Sequence, residues 1–390
     1  MPGFEVFGNE ERQAVMDLFD ANGGILFRHG FDGMRKGVYK VVEFEKMFAS
    51  YMGAKYALAV TSGSAAIKVG LKALGVQPGD EVVTQTFTFI ATVEAICDCG
   101  ATPVLVNIDK TLNMDPLDLQ RKITKKTKVI LPVHMLGVSS DMDPIMQIAR
   151  RANIPVLEDN CESMGAKYSG KFLGSIGSVG TFSLDFGKVI TTGEGGMVTT
   201  NDEDTFKKAK EYHDHGHENN PKFPRNLDTR RTYGFNYRMT EIQGAIGLAQ
   251  LKKLDMIRAA NKRNHDLLMK HLKEIGKLEF RHIPAKCEDL CDTIIFFVPT
   301  SALAEAFVKE MSAVGLGTKN LPDAILWHFA RHWDHIFSQF GMTKKALEDC
   351  CLPSTNLLSR SIALPIMVKY DENAIVQIAA KIKSIANHLL

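Results

Sequence analysis

The chain has 390 residues, of which 45% are hydrophobic and 24% charged, and its formal net charge at pH 7 is +2. This composition is that of an ordinary globular protein, and the near-neutral charge argues against nucleic acid or an anionic membrane as a partner. No apolar run approaches the ~20 residues that a membrane span needs, and the N-terminus shows no secretory signal pattern, so we expect a cytoplasmic protein.

The cysteines and histidines give little reason to expect a metal. The seven cysteines show no paired C-x-x-C spacing, which argues against a disulfide framework and a zinc site and favours reduced thiols. His213, His215 and His217 alternate in a polar segment, 207–231, that includes two prolines. Because that segment shows no pattern of regular structure and no further ligand at the usual spacing, we expect no functional metal.

The first 51 residues predict two helices joined by an irregular arm. Residues 9–20 and 40–51 have helical apolar periodicity, whereas the segment between them, 22–39, is rich in glycine and aromatic residues. The arm carries Arg28, His29 and Arg35. These are either solvated loop charges or groups that meet an anionic ligand.

Strand patterns then alternate with helical ones. The strands are expected at residues 56–60, 81–84, 102–107, 128–134, 155–159, 181–186 and 197–200. This alternation predicts an α/β fold with a largely parallel sheet covered by helices on both faces.

The last part of the chain predicts a smaller α+β unit. Its helices are expected at 256–274, 302–313 and 372–389 and its strands at 293–299 and 361–365, after a helix at 242–254 that is rich in glycine and alanine. We therefore expect an N-terminal helix and arm (1–49), a large α/β domain (50–256) and a smaller C-terminal domain (257–390).

Two stretches contain candidate functional groups. In Thr61-Ser62-Gly63-Ser64-Ala65 a strand runs into a helix, whose first N–H groups and dipole favour an anion such as phosphate, although simple N-capping is an alternative. Lys188 lies between a strand and a Gly-Glu-Gly-Gly turn, with Ser183 five residues before it. A lysine that is desolvated there becomes a nucleophile, and a surface lysine in a hairpin is the alternative.

Four segments occur together: TSGSA, EDNCES, SLDFGK followed by TTGEGG, and GFNYRMTE. In this order they resemble the DegT/DnrJ/EryC1 (StrS-type) sugar aminotransferases, strongly from about Val41 to Met256. The resemblance implies the aspartate-aminotransferase-like fold (fold type I) of enzymes that use pyridoxal 5'-phosphate (PLP). Because dehydratase relatives have histidine in place of the lysine, Lys188 favours transamination.

The resemblance also implies roles for individual residues. Lys188 is expected to carry PLP and to move the proton, and Asp159 to keep the ring nitrogen protonated. The other expected cofactor contacts are Gly63, Ser64 and Ser183 at the phosphate, Phe89 on the ring face with Phe87 as the alternative, and Glu162 near the ring hydroxyl. Relatives commonly have Gln or His in place of Glu162, so its role stays open.

The resemblance further predicts partners. In relatives the asparagine of GFNYRMTE reaches the phosphate of the other subunit, so Asn236 predicts a homodimer with shared active sites; a local cap and ion pair at Asn236 and Arg238 is the alternative. The expected amino donor is L-glutamate, and the acceptor is a keto or aldehyde sugar. Residues proposed to contact the acceptor are Arg28, His29, Arg238 and His328, and for His328 a packed aromatic loop is the alternative.

The acceptor is suggested by three details, RHGFDGMRKG, LDFGKVITTGEGG and WHFARHW. They are similar to the branch that aminates C8 of a 3-deoxy-manno-octulosonate (Kdo) to give 8-amino-Kdo for lipopolysaccharide. An acidic sugar needs a cation, for which Arg35 and Arg331 are further candidates. The alternatives are a nucleotide-linked keto-hexose aminotransferase and a regulatory or sensor protein of PLP fold, which should lack Lys188 or Asp159.

Overall fold

The structure is a computed structural model that describes residues 2–390. The α-helices of this range are α1 (Pro2–Glu5), α2 (Asn9–Asn22), α3 (Lys40–Met52), α4 (Gly63–Ala73), α5 (Ala91–Asp98), α6 (Pro116–Lys122), α7 (Met142–Ala152), α8 (Glu203–His213), α9 (Glu241–Leu251), α10 (Leu254–Leu272), α11 (Ser301–Ala313), α12 (Ile325–His328), α13 (Asp334–Phe337), α14 (Lys344–Cys350), α15 (Leu352–Leu358) and α16 (Glu372–Leu389).

The strands of the same range are β1 (Tyr56–Val60), β2 (Glu81–Gln85), β3 (Thr102–Val106), β4 (Thr127–Leu131), β5 (Leu157–Asp159), β6 (Lys167–Tyr168), β7 (Lys171–Phe172), β8 (Val179–Ser183), β9 (Gly196–Thr200), β10 (Glu279–Phe280), β11 (Cys287–Glu288), β12 (Thr293–Phe297) and β13 (Ser361–Pro365).

A large sheet organises the first two thirds of the chain. Strands β3, β2 and β4 pair in parallel, as do β5 and β8, and parallel bridges at Ile130–Val156 and Val133–Asp159 join the two groups. Strand β9 is antiparallel to both β8 and β1, so β1 runs in the same direction as the parallel strands. The expectation of a largely parallel sheet in an α/β fold is confirmed.

The two faces of this sheet bury separate apolar cores. Along β1, Leu58 and Val60 join one core, whereas Ala57 and Ala59 join the other. Successive side chains of a strand point to opposite faces, so this alternation places one core on each side. Helices α4, α5 and α8 pack on the first face, and α3, α7 and α9 on the second. Both faces are covered because a parallel sheet exposes apolar side chains on both.

The C-terminal residues build a third core. Strands β10, β12 and β13 form an antiparallel sheet, and α10, α11 and α16 cover it with apolar residues such as Leu268, Phe307 and Ile382. A small sheet of β11, β6 and β7 lies apart from both larger sheets. The division of the sequence at residues 50 and 257 stays a prediction.

Some local expectations were wrong. The segment from Lys207 to His213 is helical, because Asp202 caps α8 by accepting a hydrogen bond of 2.7 Å from the Thr205 N–H. The helix that follows β2, α5, begins only at Ala91. The residues before it bind the C-terminal chain instead, since the Thr88 and Ile90 N–H groups donate to the carbonyl oxygens of His328 and Trp327.

Within residues 2–390, no helix has both the length and the apolar character to cross a bilayer. All seven cysteines are unpaired, and three of them, Cys99, Cys291 and Cys351, are buried.

Candidate active site

A pocket of about 650 Å³ opens at the carboxyl ends of the parallel strands. Residues that follow β1, β2, β4, β5 and β8 line it, as is usual for ligand sites of open α/β sheets. The pocket walls also include the C-terminal segments 318–324 and 365–367, and Pro2 from the N-terminal turn. Eight sequence-predicted site residues line this pocket: Gly63, Ser64, Phe89, Asp159, Glu162, Ser183, Lys188 and His328.

Lys188 lies on a loop that leaves β8 and returns to β9. Hydrogen bonds of 2.9 Å from the Thr192 N–H to the Leu184 carbonyl, and from the Leu184 N–H to the Gly195 carbonyl, close the base of the loop. The Lys188 side chain is partly buried. Burial lowers the pKa of its amine, but the surrounding negative groups, Glu162 foremost, outweigh that effect and raise it. The amine therefore reaches the pocket as a cation attracted to carboxylates.

Asp159 ends β5 and is only 2% exposed. One carboxylate oxygen accepts a hydrogen bond of 2.9 Å from the Thr92 hydroxyl, and the other accepts one of 3.0 Å from the Cys161 N–H. These bonds fix the plane of the carboxylate at the floor of the pocket. A buried carboxylate held in this way can pair with a protonated ring nitrogen.

The start of α4 provides an anion site. Ser62 caps the helix by accepting a hydrogen bond of 3.1 Å from the Ala65 N–H, which leaves the N–H groups of Gly63 and Ser64 without helical acceptors. A Cβ on Gly63 would lie 2.8 Å from the Ser183 Cβ, so only glycine permits this close approach. Gly63, Ser64 and Ser183 thus converge, and the helix dipole adds to the attraction for a phosphate.

Glu162 and His328 form an ion pair in the pocket, with 3.3 Å between Oε1 and Nε2. Burial raises the pKa of Glu162, but the hydrogen bond and charge of His328 outweigh it and lower that pKa to about 2. Phe89 lies beside the pair, with 5.4 Å between its ring centroid and that of His328. Phe87 is fully buried in the core, so of the two aromatic candidates Phe89 faces the pocket.

Four predicted residues do not line the pocket of their own chain. Asn236, Arg238 and His29 lie around the buried Asp214, which pairs with Arg238 and lies 3.9 Å from the His29 ring. The expectation that Arg28, His29 and Arg238 contact the acceptor is therefore not met within one chain. Arg28 pairs with Glu45 at 2.7 Å, and burial together with Arg225 lowers the pKa of His29 to about 4.

The two further arginine candidates also lie elsewhere. Arg35 is fully buried and lies 3.7 Å from Glu241, and Arg331 hydrogen-bonds the Thr355 hydroxyl. Neither lines the pocket. Through its contact with Glu241, the Arg35 guanidinium helps to hold the N-terminal arm against α9.

The alternate histidines do not converge on a common point. His213 is buried with its Nδ1 2.5 Å from the Lys210 carbonyl, whereas His217 pairs with Asp228 at 3.1 Å. A different group, His265, Asp289 and Cys291, has ligand atoms within 4.8 Å of one another. This group lies outside the pocket and has no bearing on its chemistry.

The residues of the pocket fit PLP. The anion site at α4, the carboxylate of Asp159 and the amine of Lys188 match the phosphate, the ring nitrogen and the carbonyl carbon of the cofactor, and Phe89 offers a flat face. Sequence reasoning missed Thr92, although it belongs to the FTFIAT stretch. It also missed Pro2 and the segment 318–320, which no motif marks.

Comparison with known proteins agrees with this geometry. A family model described as the DegT/DnrJ/EryC1/StrS aminotransferase family matches residues 33–383. The GDP-perosamine synthase of Caulobacter vibrioides is 42% identical over 293 residues, which are 72% of this chain and 75% of that protein.

Solved structures extend the likeness over the whole chain. An aminotransferase from Psychrobacter cryohalolentis superposes with a TM-score of 0.85 at 28% identity and covers 98% of both chains. A 3-amino-5-hydroxybenzoic acid synthase superposes with a TM-score of 0.83 at 28% identity, over 98% of this chain and 97% of that one.

Proposed function

The chain belongs to the DegT/DnrJ/EryC1/StrS aminotransferase family of PLP-dependent enzymes, and on this premise we propose that it transfers an amino group from L-glutamate to a keto or aldehyde sugar. The observation that carries the proposal is the presence of Lys188 and Asp159 in one pocket beside the anion site of α4. A protein of this fold that only binds or senses a ligand needs neither group.

The pocket residues have separate roles in the proposed amino transfer. When bound, PLP supplies a carbonyl that reacts with amines and a ring that withdraws electrons from the carbon being deprotonated. Lys188 Nζ would remove the proton from the donor's α-carbon and would deliver a proton to the acceptor carbon. Asp159 would keep the ring nitrogen protonated, and Gly63, Ser64 and Ser183 would bind the phosphate.

Kdo oxidised at C8 is the acceptor that we propose first. The similarity of RHGFDGMRKG, LDFGKVITTGEGG and WHFARHW to the branch that makes 8-amino-Kdo for lipopolysaccharide supports it. Two side chains that can be cationic, His328 and Lys319, line the pocket, and each already pairs with a carboxylate, Glu162 and Asp292 respectively. The seven unpaired thiols suit a reducing compartment, which supports the cytoplasm as the place of the reaction.

A nucleotide-linked keto-hexose is the second candidate acceptor. It is supported by the relative from Caulobacter vibrioides, because GDP-perosamine is a nucleotide-linked sugar. Such an acceptor needs room for a diphosphate and a nucleoside next to the pocket.

A homodimer with shared sites accounts for the residues outside the pocket. Asn236 is exposed and forms a β-bridge with Asp214, the carboxylate around which Arg238 and His29 also lie. All three residues belong to segments that resemble the family. We propose that this cluster of Asn236, Arg238 and His29 serves the pocket of a second copy of the chain.

Product analysis separates the two acceptors. Purified protein with PLP and L-glutamate is incubated with 8-oxo-Kdo or with a GDP-linked 4-keto-hexose, and the amino sugar is identified by mass spectrometry. We expect 8-amino-Kdo and 2-oxoglutarate in equal amounts, and neither with Lys188→Ala. Amination of the nucleotide sugar alone would show that the second acceptor is right.

A further inference from the structure

The Glu162–His328 ion pair is formed by two distant parts of the chain inside the pocket. Glu162 lies in the turn that follows β5, and His328 is the last residue of α12. Their side chains are 11% and 9% exposed. An ion pair so shielded from water keeps much more of its electrostatic strength than a surface pair.

Hydrogen bonds fix the orientation of both side chains of the pair. The Ala324 carbonyl lies 2.8 Å from His328 Nδ1, so Nδ1 carries a proton and Nε2 faces Glu162. The Glu162 carboxylate also accepts hydrogen bonds of 3.1 Å from Asn320 Nδ2 and 3.3 Å from the Leu136 N–H. Among residues 2–390, Glu162 is the carboxylate that pairs with His328, and the Asn320 amide nitrogen lies 3.2 Å from the same ring nitrogen.

Lys188 lines the same pocket as Glu162 and His328. The carboxylates with the largest effects on its amine are Glu162, Asp185 and Asp159, and together they raise the pKa of Lys188, Glu162 most of all. The remaining pocket cation, Lys319, is itself paired with Asp292. An unpaired Glu162 would hold the proton on Lys188, whereas attack on a carbonyl needs the neutral amine.

We propose that His328, in its charged form, neutralises Glu162 and so lets the Lys188 amine lose its proton more readily than it would beside an unpaired carboxylate. His328 is then a positioning residue that acts through Glu162. The pair also explains how this pocket can contain the Glu162 carboxylate, which without a partner would keep Lys188 protonated. The inference rests on the proposed function, because it concerns the amine that we assign to catalysis.

The test uses the full-length protein without cofactor, and the probe is acetic anhydride at trace concentration. Acetylation of Lys188 reports the fraction of neutral amine, and Lys345, which is 79% exposed on α14, serves as the internal reference. Labelling is measured by mass spectrometry at about pH 6.5, where an ordinary histidine is half protonated. His328 is charged there, because Glu162 outweighs the effect of burial and raises the pKa of His328.

The expected order of Lys188 labelling rates distinguishes an effect of the His328 charge from a purely structural effect of the His328 side chain. A nearby charge moves a pKa by about one unit or more. Lys188 of His328→Gln should therefore be acetylated roughly tenfold more slowly than Lys188 of the wild type. Glu162→Gln should label faster, and Glu162→Gln/His328→Gln should match Glu162→Gln. His328→Lys should restore the wild-type rate. The difference between wild type and His328→Gln should vanish above the pKa of His328, where both side chains are neutral.

Equal Lys188 rates in folded wild type and His328→Gln at this pH would overturn the proposal. So would slow labelling in the double variant, which would indicate a purely structural role for His328. Melting curves establish that each variant is folded. Because no amino transfer is measured, a failure of the labelling order is distinguishable from a failure of the proposed function, which product analysis tests separately.

Discussion

The backbone N–H of Gly3 donates a hydrogen bond of 3.1 Å to the carbonyl oxygen of Lys188. The adjacent Phe4 ring lies 4.5 Å from that of Phe186, and the Glu5 carboxylate accepts a hydrogen bond of 3.1 Å from the Lys369 N–H. The N-terminal turn therefore connects the lysine loop with the C-terminal chain, and Pro2 completes the pocket wall between them.

Replacing Gly3 by valine should displace the lysine loop. A Cβ at this position would lie 2.9 Å from both the Ile190 Cα and the Lys188 carbonyl oxygen, which are backbone atoms that cannot turn aside. Because small misplacements of catalytic groups are costly, kcat should fall roughly tenfold to a hundredfold while the fold persists. Gly276→Val is the matched control, since nothing lies within 4 Å of its Cβ. Unchanged kcat in Gly3→Val would show that the turn does not position Lys188.

Asp159→Asn should retain the cofactor but lose most of the activity. Asparagine is close in shape, yet it lacks the negative charge that keeps the ring nitrogen protonated. We expect kcat to fall about a hundredfold or more, in line with the loss of a preorganised electrostatic group. Thr92→Val, which removes the 2.9 Å hydrogen bond to the carboxylate, should have a smaller effect. A decrease of only a few fold in Asp159→Asn would contradict this role.

Mixing two inactive variants tests the shared site. In a dimer of Lys188→Ala with Asn236→Ala, one pocket combines both defects and the other has neither. Random mixing makes half of the dimers hybrid, so activity should rise to about a quarter of the wild-type value. No gain after subunit exchange, with hybrid dimers detected by native mass spectrometry, would place Asn236 outside the partner's pocket.

The Glu162–His328 pair should make the stability of the protein depend on pH near the pKa of each of its two members. Glu162 raises the pKa of His328, so the contribution of the pair is complete below the ordinary histidine pKa and is lost as pH rises through the raised value. Because His328 lowers the pKa of Glu162 to about 2, the contribution is also lost as pH falls toward that value.

Denaturant unfolding of the cofactor-free protein measures this dependence. His328→Gln should be destabilised relative to wild type between these limits, and the difference should shrink as pH rises past the His328 pKa. The control is His335→Gln, because His335 is an exposed histidine on α13. A destabilisation that does not vary with pH would show that packing, and not charge, explains the effect.

The regular elements of the fold were predictable where a long periodic pattern coincided with clear ends. The predicted bounds of β1, β13 and α16 agree with the structure, because each element lies between turn or capping residues, such as Asp371 before α16. Helices α12 to α15 were missed, because elements of four to seven residues are too short to show a period.

The pocket was predictable only where its residues belong to contiguous motifs. Gly63, Asp159 and Lys188 follow strands in recognisable segments, and parallel strands bring their carboxyl ends together. The partners of Glu162 were not predictable, since Asn320 is 158 residues away in sequence and is brought near by tertiary packing. Nor does the pattern around Arg238 reveal that the buried Asp214 binds its side chain in the same chain.

The absorption spectrum of the purified protein tests the central claim, PLP-dependent amino transfer through Lys188, most directly. It is recorded after PLP is supplied, again after L-glutamate is added, and again after 8-oxo-Kdo is added. We predict a cofactor band that L-glutamate shifts and the acceptor restores, and that is altered from the start in Lys188→Ala. If only a nucleotide-linked keto-hexose restores the band, amino transfer stands and the octulosonate acceptor is wrong. No cofactor band, or a band that L-glutamate leaves unchanged, would contradict the account.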